Sequence, residues 1–455
     1  MNLVLGILLL CGLAVAAKQP NILFILTDDQ GKYLGGLEHM PKLQKTLVQK
    51  GTSYPKHFSP TALCCPARAN IWTGRMPHNT NITSVSPPYG GYPKVVSAGW
   101  NDNYLPLWMQ DAGYNTYYVG KLWNSHTEKN YDSPHAKGFN GSDFLLDPWT
   151  YRFYNARMTR NGQKPVHYDG KYSTEVIADK ARGFLDEALA HPDRPWMLTV
   201  APNAPHSNGS HDPSRDATWY GEPEYLPRDA GLFRDYKIPR DASFNKLTDG
   251  AVGWVGELPK LNDTVVQYLD EFQRCRLRSL QPVDEMIGSL VRKLEKAGAL
   301  ENTYIIFSTD NGYHIGQHRM QPGKNCGYDT DTQVPLIVRG PGIPEDKTLD
   351  VVTSHTDLAP TFLSIAGSSR PGLDGRPIPT TLEAEKADNK TEHAAIEYWG
   401  RAVPEGAYGF ASNRRGNPDN SYRKNTYKGL RLAADDYNLY YAVWCTNETE
   451  FYDIK

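Results

Sequence analysis

Residues 21–27, Asn-Ile-Leu-Phe-Ile-Leu-Thr, form an apolar run of strand length with no polar alternation inside it, and the run stops at Asp28-Asp29-Gln30. A run of that kind predicts a strand buried on both faces, as in a parallel sheet covered by helices. Residues 114–119, 196–200 and 302–309 repeat the pattern, and residues 334–339 add a fifth apolar strand. Helical spacing separates them. It is predicted over 41–50, closed by Gly51, from Cys64 onward, and over 105–111, 173–191, 265–297 and 358–365. Strands alternating with helices predict an α/β fold.

Residues 124–170 and 208–261 are rich in Tyr, Asn, Gly, Asp and Pro without a sustained period, and read as long surface loops around a pocket. In the long helical region, Glu271, Arg274, Arg276 and Arg278 read as a solvated face. Pro and Gly cluster over residues 370–379, which reads as a linker. Beyond it, residues 394–398, 427–433, 438–445 and 450–454 predict short strands of a small antiparallel sheet. The expected division is a leader at 1–17, a large domain at 18–375 and a smaller one at 376–455.

Composition narrows the setting. With 49 basic against 51 acidic residues, neither nucleic acid nor a membrane surface is expected as the main partner. Residues 1–17 are an apolar run ending in small residues, with Ala14-Val15-Ala16 fitting a signal-peptidase site. The run lacks a basic residue near its start, which leaves an uncleaved anchor open, yet it is short for a spanning helix. Asn-x-Ser/Thr sequons at Asn81, Asn140, Asn208, Asn262, Asn389 and Asn447 are compatible with a secretory route and glycosylation. With Cys11 in the leader and Cys64 set apart, Cys65, Cys275, Cys326 and Cys445 allow up to two disulfides, with no pairing readable.

Polar groups follow the apolar strands directly: Asp28-Asp29, Lys121, His206 and Asp310-Asn311. One Asp after a strand is ordinarily a turn residue. Four strands ending this way predict a single site, because the carboxyl ends of parallel strands share one edge, where such folds bind ligands. Asp28, Asp29, Asp310 and Asn311 offer oxygens only, which suits a hard cation such as calcium or magnesium and suits zinc poorly.

A further motif lies at residues 63–75. Cys64-Cys65-Pro66-Ala67-Arg68 sets cysteines at a helix start, where unpaired N–H groups and the dipole favour an anion, and Thr73-Gly74-Arg75 closes the element. Cys-x-Pro-Ala-Arg followed by Ile-x-Thr-Gly-Arg resembles the signature of the type I sulfatases, alanine at 67 being an accepted variant of the commoner serine. Thr27-Asp-Asp-Gln, Gly120-Lys121, Ala204-Pro-His206, residues 308–312 and residues 334–342 follow in the family's order.

The resemblance implies an alkaline-phosphatase-like α/β fold, with a large mixed, mostly parallel sheet between helices and a small C-terminal antiparallel sheet and helix subdomain. It implies that Cys64 is oxidised to formylglycine by the formylglycine-generating enzyme. It also implies one divalent ion, calcium ahead of magnesium, held by Asp28, Asp29, Asp310, Asn311 and an oxygen of the modified Cys64. Lys121 and Lys324 match the sulfate-binding lysines, His206 the histidine that helps the leaving group depart, and Arg68 the residue holding the charge of the aldehyde hydrate. One hydroxyl of the hydrate attacks sulfur, and loss of a proton from the other expels sulfate.

Trp123 departs from the pattern, since many members carry histidine there; the sequence is closer to the arylsulfatase and N-acetylglucosamine-6-sulfatase-like branch. The base of the second step is therefore assigned to His314, with His126, His318 and His57 behind it. The expected activity is hydrolysis of an aryl or sugar sulfate ester, in a secreted or lysosome-like setting. A phosphodiesterase or phosphonate monoester hydrolase on the same fold is the alternative, with an inactive sulfated-glycan-binding relative as a third reading. The stretch at residues 451–455 resembles one after which family members continue, so a truncated chain is expected; substrate identity and oligomeric state are not legible.

Overall fold

Every residue of the strand Asn21–Thr27 is buried, and its side chains alternate between two cores. Ile22, Phe24 and Leu26 enter one, with Ala69 and Trp72 of the helix Cys64–Thr73 and Phe362 of the helix Leu358–Ile365. Leu23 and Ile25 enter the other, with Ile177, Phe184 and Leu185 of the helix Ser173–Leu189 and Ile287 and Leu290 of the helix Gln281–Lys296. A strand with apolar contacts on both sides needs no polar face, which is why the run is continuous. The computed structural model describes residues 18–212, 217–381, 391–411, 422, 424–434 and 436–454, so the leader and the Asn389 sequon lie outside the described residues.

The main sheet has ten strands. Five central ones are parallel, in the order Thr303–Thr309, Asn21–Thr27, Trp196–Ala201, Asn115–Gly120 and Gly141–Leu145. Register places Thr27 beside Thr309, and Gly120 beside Ala201. Asp28, Asp310 and Lys121 therefore leave one edge of the sheet together. Leu336–Arg339 pairs antiparallel with Thr303–Thr309, and Arg157–Arg160 antiparallel with Gly141–Leu145, giving the mixed character. A four-stranded antiparallel sheet follows, His393–Tyr398, Tyr427–Ala433, Asn438–Trp444 and Thr449–Asp453, around a core holding Ile396, Tyr427 and Trp444. Among the described residues, no helix is long and apolar enough to cross a membrane.

Four expectations are corrected. Residues 124–170 are not all loop, since Gly141–Leu145, Arg157–Arg160 and Val166–His167 extend the sheet; their short, polar sequences hide strands whose stability comes from the neighbour they pair with. Asn208–Asp212 and Ala217–Gly221 likewise form a two-stranded unit inside the second expected loop. The long helical region is two helices, Asp263–Ser279 and Gln281–Lys296, divided at Leu280 ahead of Pro282. Arg276 and Arg278 on the first are buried rather than solvated. Among the described residues the cysteines are free: Cys65 and Cys326 belong to different hydrophobic cores, Cys275 is buried in the helix Asp263–Ser279, and Cys445 is exposed. Of the described sequons, Asn81, Asn140, Asn262 and Asn447 are exposed and Asn208 is half-buried.

Candidate active site

The helix Cys64–Thr73 begins without a side-chain cap, its preceding residue Leu63 being extended, and Gly74 ends it in the left-handed region at φ 63°. All ten of its residues are buried. Cys64 thus stands at an N-terminus whose N–H groups no side chain has claimed, at the floor of a cavity of about 460 Å3. Its Sγ lies 3.2 Å from Lys324 Nζ and 3.7 Å from Asp28 Oδ1. Burial pushes the Cys64 thiol up to about 12, against the pull of Lys121 and Lys324. An unmodified Cys64 is therefore a neutral thiol near pH 7 and a poor nucleophile.

Charges around Cys64 are paired. Lys121 Nζ donates to Asp28 Oδ2 at 2.6 Å, and Lys324 Nζ reaches both oxygens of Asp29 at 2.6 Å. Arg68 Nε donates to Asp310 Oδ2 at 2.9 Å, while its Nη1 donates to the Lys121 carbonyl. Burial works against the charge on all three cations, but the carboxylates outweigh it and hold each above its ordinary range. Three carboxylates thus balance three cations. Added divalent charge would leave the site net positive, which suits an anion.

Asp29 adopts φ 67°, held there by its N–H on Asp310 Oδ1 at 3.1 Å and by Arg276, whose Nη2 donates to the Asp29 carbonyl at 2.5 Å. Asn311 Nδ2 donates to Asp29 Oδ1 at 2.7 Å, leaving Asn311 Oδ1 buried with no hydrogen-bond partner among the described residues. An orphaned amide oxygen among three carboxylates is what a hard cation would satisfy. Asp28, Asp29, Cys64 and His206 each also place one ligand atom within 4.8 Å of the others.

His206 Nδ1 donates to the Ser207 carbonyl at 2.8 Å, so its Nε2 lone pair faces Lys324 Nζ at 3.2 Å. Burial, then the two lysines, hold the imidazole well below its ordinary range, and the ring is neutral. Tyr151 packs against it at 4.4 Å and Tyr220 at 5.6 Å.

His314 stands elsewhere, with Nδ1 2.9 Å from both oxygens of Asp331 and no hydrogen bond to Cys64 among the described residues. His57 bonds Thr353 and His355, and His355 Nε2 donates to the Asp310 carbonyl at 2.9 Å, which makes this pair a support for Asp310. His126 packs on Tyr92 and Phe144, and His318 on Tyr328. The sequence reading missed Arg276, His355, Tyr151, Tyr220 and Glu405. None follows an apolar strand, and only tertiary contacts bring them in.

The Sulfatase family profile matches residues 20–368. An arylsulfatase of Volvox carteri is 37% identical over 470 residues, covering 97% of this chain and 71% of the relative. The human N-acetylglucosamine-6-sulfatase is 31% identical over 411 residues, covering 87% and 70%. Among solved structures, BT4656 in complex with its substrate D-glucosamine-2-N,6-O-disulfate superposes with a TM-score of 0.74 at 22% identity, covering 96% of this chain and 91% of that one.

Proposed function

The chain belongs to the sulfatase family and is a sulfuric ester hydrolase, and we propose that it cleaves aryl or sugar sulfate esters through Cys64 converted to formylglycine. The observation that carries the reading is the placement of Cys64 at an open helix N-terminus within 3.2 Å of Lys324 and 3.7 Å of Asp28. Formylglycine supplies a hydrated aldehyde whose first hydroxyl attacks sulfur and whose second lets sulfate be released. A divalent ion, calcium ahead of magnesium, would be held by Asp28, Asp29, Asp310 and Asn311 and would add positive charge against the sulfate oxygens.

The chain's own residues do the remainder. Lys121 and Lys324 offer N–H donors to sulfate oxygens, and being buried they do so without the screening that weakens such contacts in water. Arg68 fixes Asp310 and, through Nη2 at 3.9 Å, Asp28, so the acidic cluster keeps its shape as charge moves. His206 Nε2 accepts a hydrogen bond from Lys324 Nζ at 3.2 Å, which holds the ammonium and the imidazole together as the pair that meets the departing alcohol oxygen and helps it leave. Tyr151 and Tyr220 wall the ring and exclude water. The unpaired state of Asn311 Oδ1 supports the ion. The leader-like run at 1–17 and the exposed sequons support a secretory route, where the formylglycine-generating enzyme would meet the chain.

The test is release of inorganic sulfate from p-nitrophenyl sulfate and from N-acetylglucosamine 6-sulfate, by protein made in a host that forms formylglycine. Activity lost on chelation and restored by calcium is expected. Turnover of bis(p-nitrophenyl) phosphate or a phenyl phosphonate with no sulfate release would move the phosphodiesterase and phosphonate reading to the front.

A further inference from the structure

Glu405 is the one acidic side chain lining the Cys64 cavity among the described residues, which otherwise presents Lys324, Arg401, aromatic rings and neutral polar groups. It follows Pro404 and precedes the helix Gly406–Ala411, and its backbone N–H is tied to the Pro322 carbonyl at 2.6 Å. A carboxylate beside an anion-binding lysine costs affinity for the anion, so its presence calls for a compensating role.

Its two oxygens are used unequally. Oε2 accepts from Tyr313 OH at 2.6 Å and from Ser207 Oγ, and those hydroxyls are 3.0 Å apart. Tyr313 is fixed in turn beneath the Arg276 guanidinium, 4.2 Å from the ring centre, and Arg276 also holds Asp29 and Pro205. Glu405 is thus aimed by the same scaffold that sets the acidic cluster. Oε1 has no hydrogen-bond partner among the described residues, and the residue, 7% exposed, lines the cavity. A rigid acceptor with a free oxygen accepts from an O–H or N–H, and repels an anion.

Resting on the sulfatase reading above, we propose that Glu405 is a specificity-determining residue: it accepts a hydrogen bond from a hydroxyl or amide donor carried by the alcohol part of the ester and disfavours a second anionic group there. The substrate class is then a monosulfated, hydroxylated sugar in preference to a simple aryl sulfate or a polysulfated unit. Trp399 and Tyr89, exposed and lining the same cavity, offer faces for a sugar ring at its mouth.

Glu405→Gln tests this with little change of shape. The glutamine oxygen can keep the Ser207 and Tyr313 contacts, which turns the free position from acceptor to donor. Binding is read by calorimetry in a Cys64→Ala background, where no turnover is needed, for N-acetylglucosamine 6-sulfate, phenyl sulfate and D-glucosamine-2-N,6-O-disulfate. Glu405→Gln should lower the ratio of affinities, monosulfated sugar over phenyl sulfate, by about tenfold or more, and raise that of the disulfate over the monosulfate. Unchanged ratios would overturn the proposal. Should Glu405→Gln bind none of the three, Glu405→Ala, which leaves Ser207 and Tyr313 to bond each other, is read in the same way. Turnover by the Cys64-intact chain is assayed separately. Absent sulfate release with a shifted ratio rejects the catalytic reading and keeps Glu405, whereas sulfate release with an unshifted ratio rejects Glu405 alone.

Discussion

At the scale of single residues, burial decides what each ionisable group can do. Cys64 is kept a thiol, His206 a neutral ring, and Lys121 and Lys324 ammonium ions, although all four are buried, because a carboxylate at 2.6 Å stabilises each ammonium, whereas burial and the neighbouring lysines disfavour the charged imidazole and burial outweighs the lysines at the thiol. His126 shows the same rule away from the site. Packed on Tyr92 at 4.3 Å and Phe144 at 5.5 Å, it is pulled down to about 3 by burial. Its folded pKa lies below the unfolded value, so the unfolded chain binds the extra proton and stability falls as pH drops below 6.5 toward 3. His126→Phe should therefore blunt acid destabilisation by about 2 kcal/mol between pH 7.5 and pH 5, measured by urea unfolding. Equal losses in both proteins would contradict the assignment. Legible in the sequence were residues that follow apolar strands, Asp28, Lys121, His206 and Asp310, and Cys64 and Arg68 of the helix-start motif; Glu405 was not, because its place comes from the Pro322 carbonyl and the Tyr313 hydroxyl, which no local pattern announces.

At the scale of elements, runs buried on both faces gave their strands almost to the residue, since nothing but a covered parallel sheet accommodates them: residues 302–309 became Thr303–Thr309 and residues 196–200 became Trp196–Ala201. Gly141–Leu145 and Arg157–Arg160 escaped notice because they are short and polar and owe their form to the strands beside them. The helix Asp263–Ser279 misled differently. Its arginines suggested solvent, yet Arg276 runs inward, donating to Pro205 at 3.0 Å and Asp29 at 2.5 Å. A charged residue placed to satisfy buried carbonyls is indistinguishable in sequence from a surface one. Arg276→Met should strand both carbonyls and lower stability by about 2–5 kcal/mol in thermal unfolding. Arg274→Met, removing a pair with half-exposed Glu271 and one bond to the part-buried Tyr236 carbonyl, should cost less, about 1–2 kcal/mol. Similar small losses in both variants would mean that Arg276 does not hold the Asp29 loop.

At the scale of the whole molecule, the topology converts order along the chain into one place in space. The strands ending at Thr27, Gly120 and Thr309 are separated by long stretches of sequence, but the parallel register brings Asp28, Lys121 and Asp310 into one charge-balanced cluster with Arg68. The helix Cys64–Thr73 is packed against Phe24 and Phe362 so that its open end faces that cluster. The C-terminal region, through Glu405 and the loop holding Trp399, closes the cavity over it. The account stands on Cys64 being the modified residue. The most direct measurement is the mass of the proteolytic peptide spanning residues 64 and 65, taken from protein secreted by a host with formylglycine-generating machinery. The account predicts the aldehyde at Cys64 with Cys65 unaltered; an unconverted thiol at Cys64 in that host, in protein that still releases sulfate from esters, would contradict it.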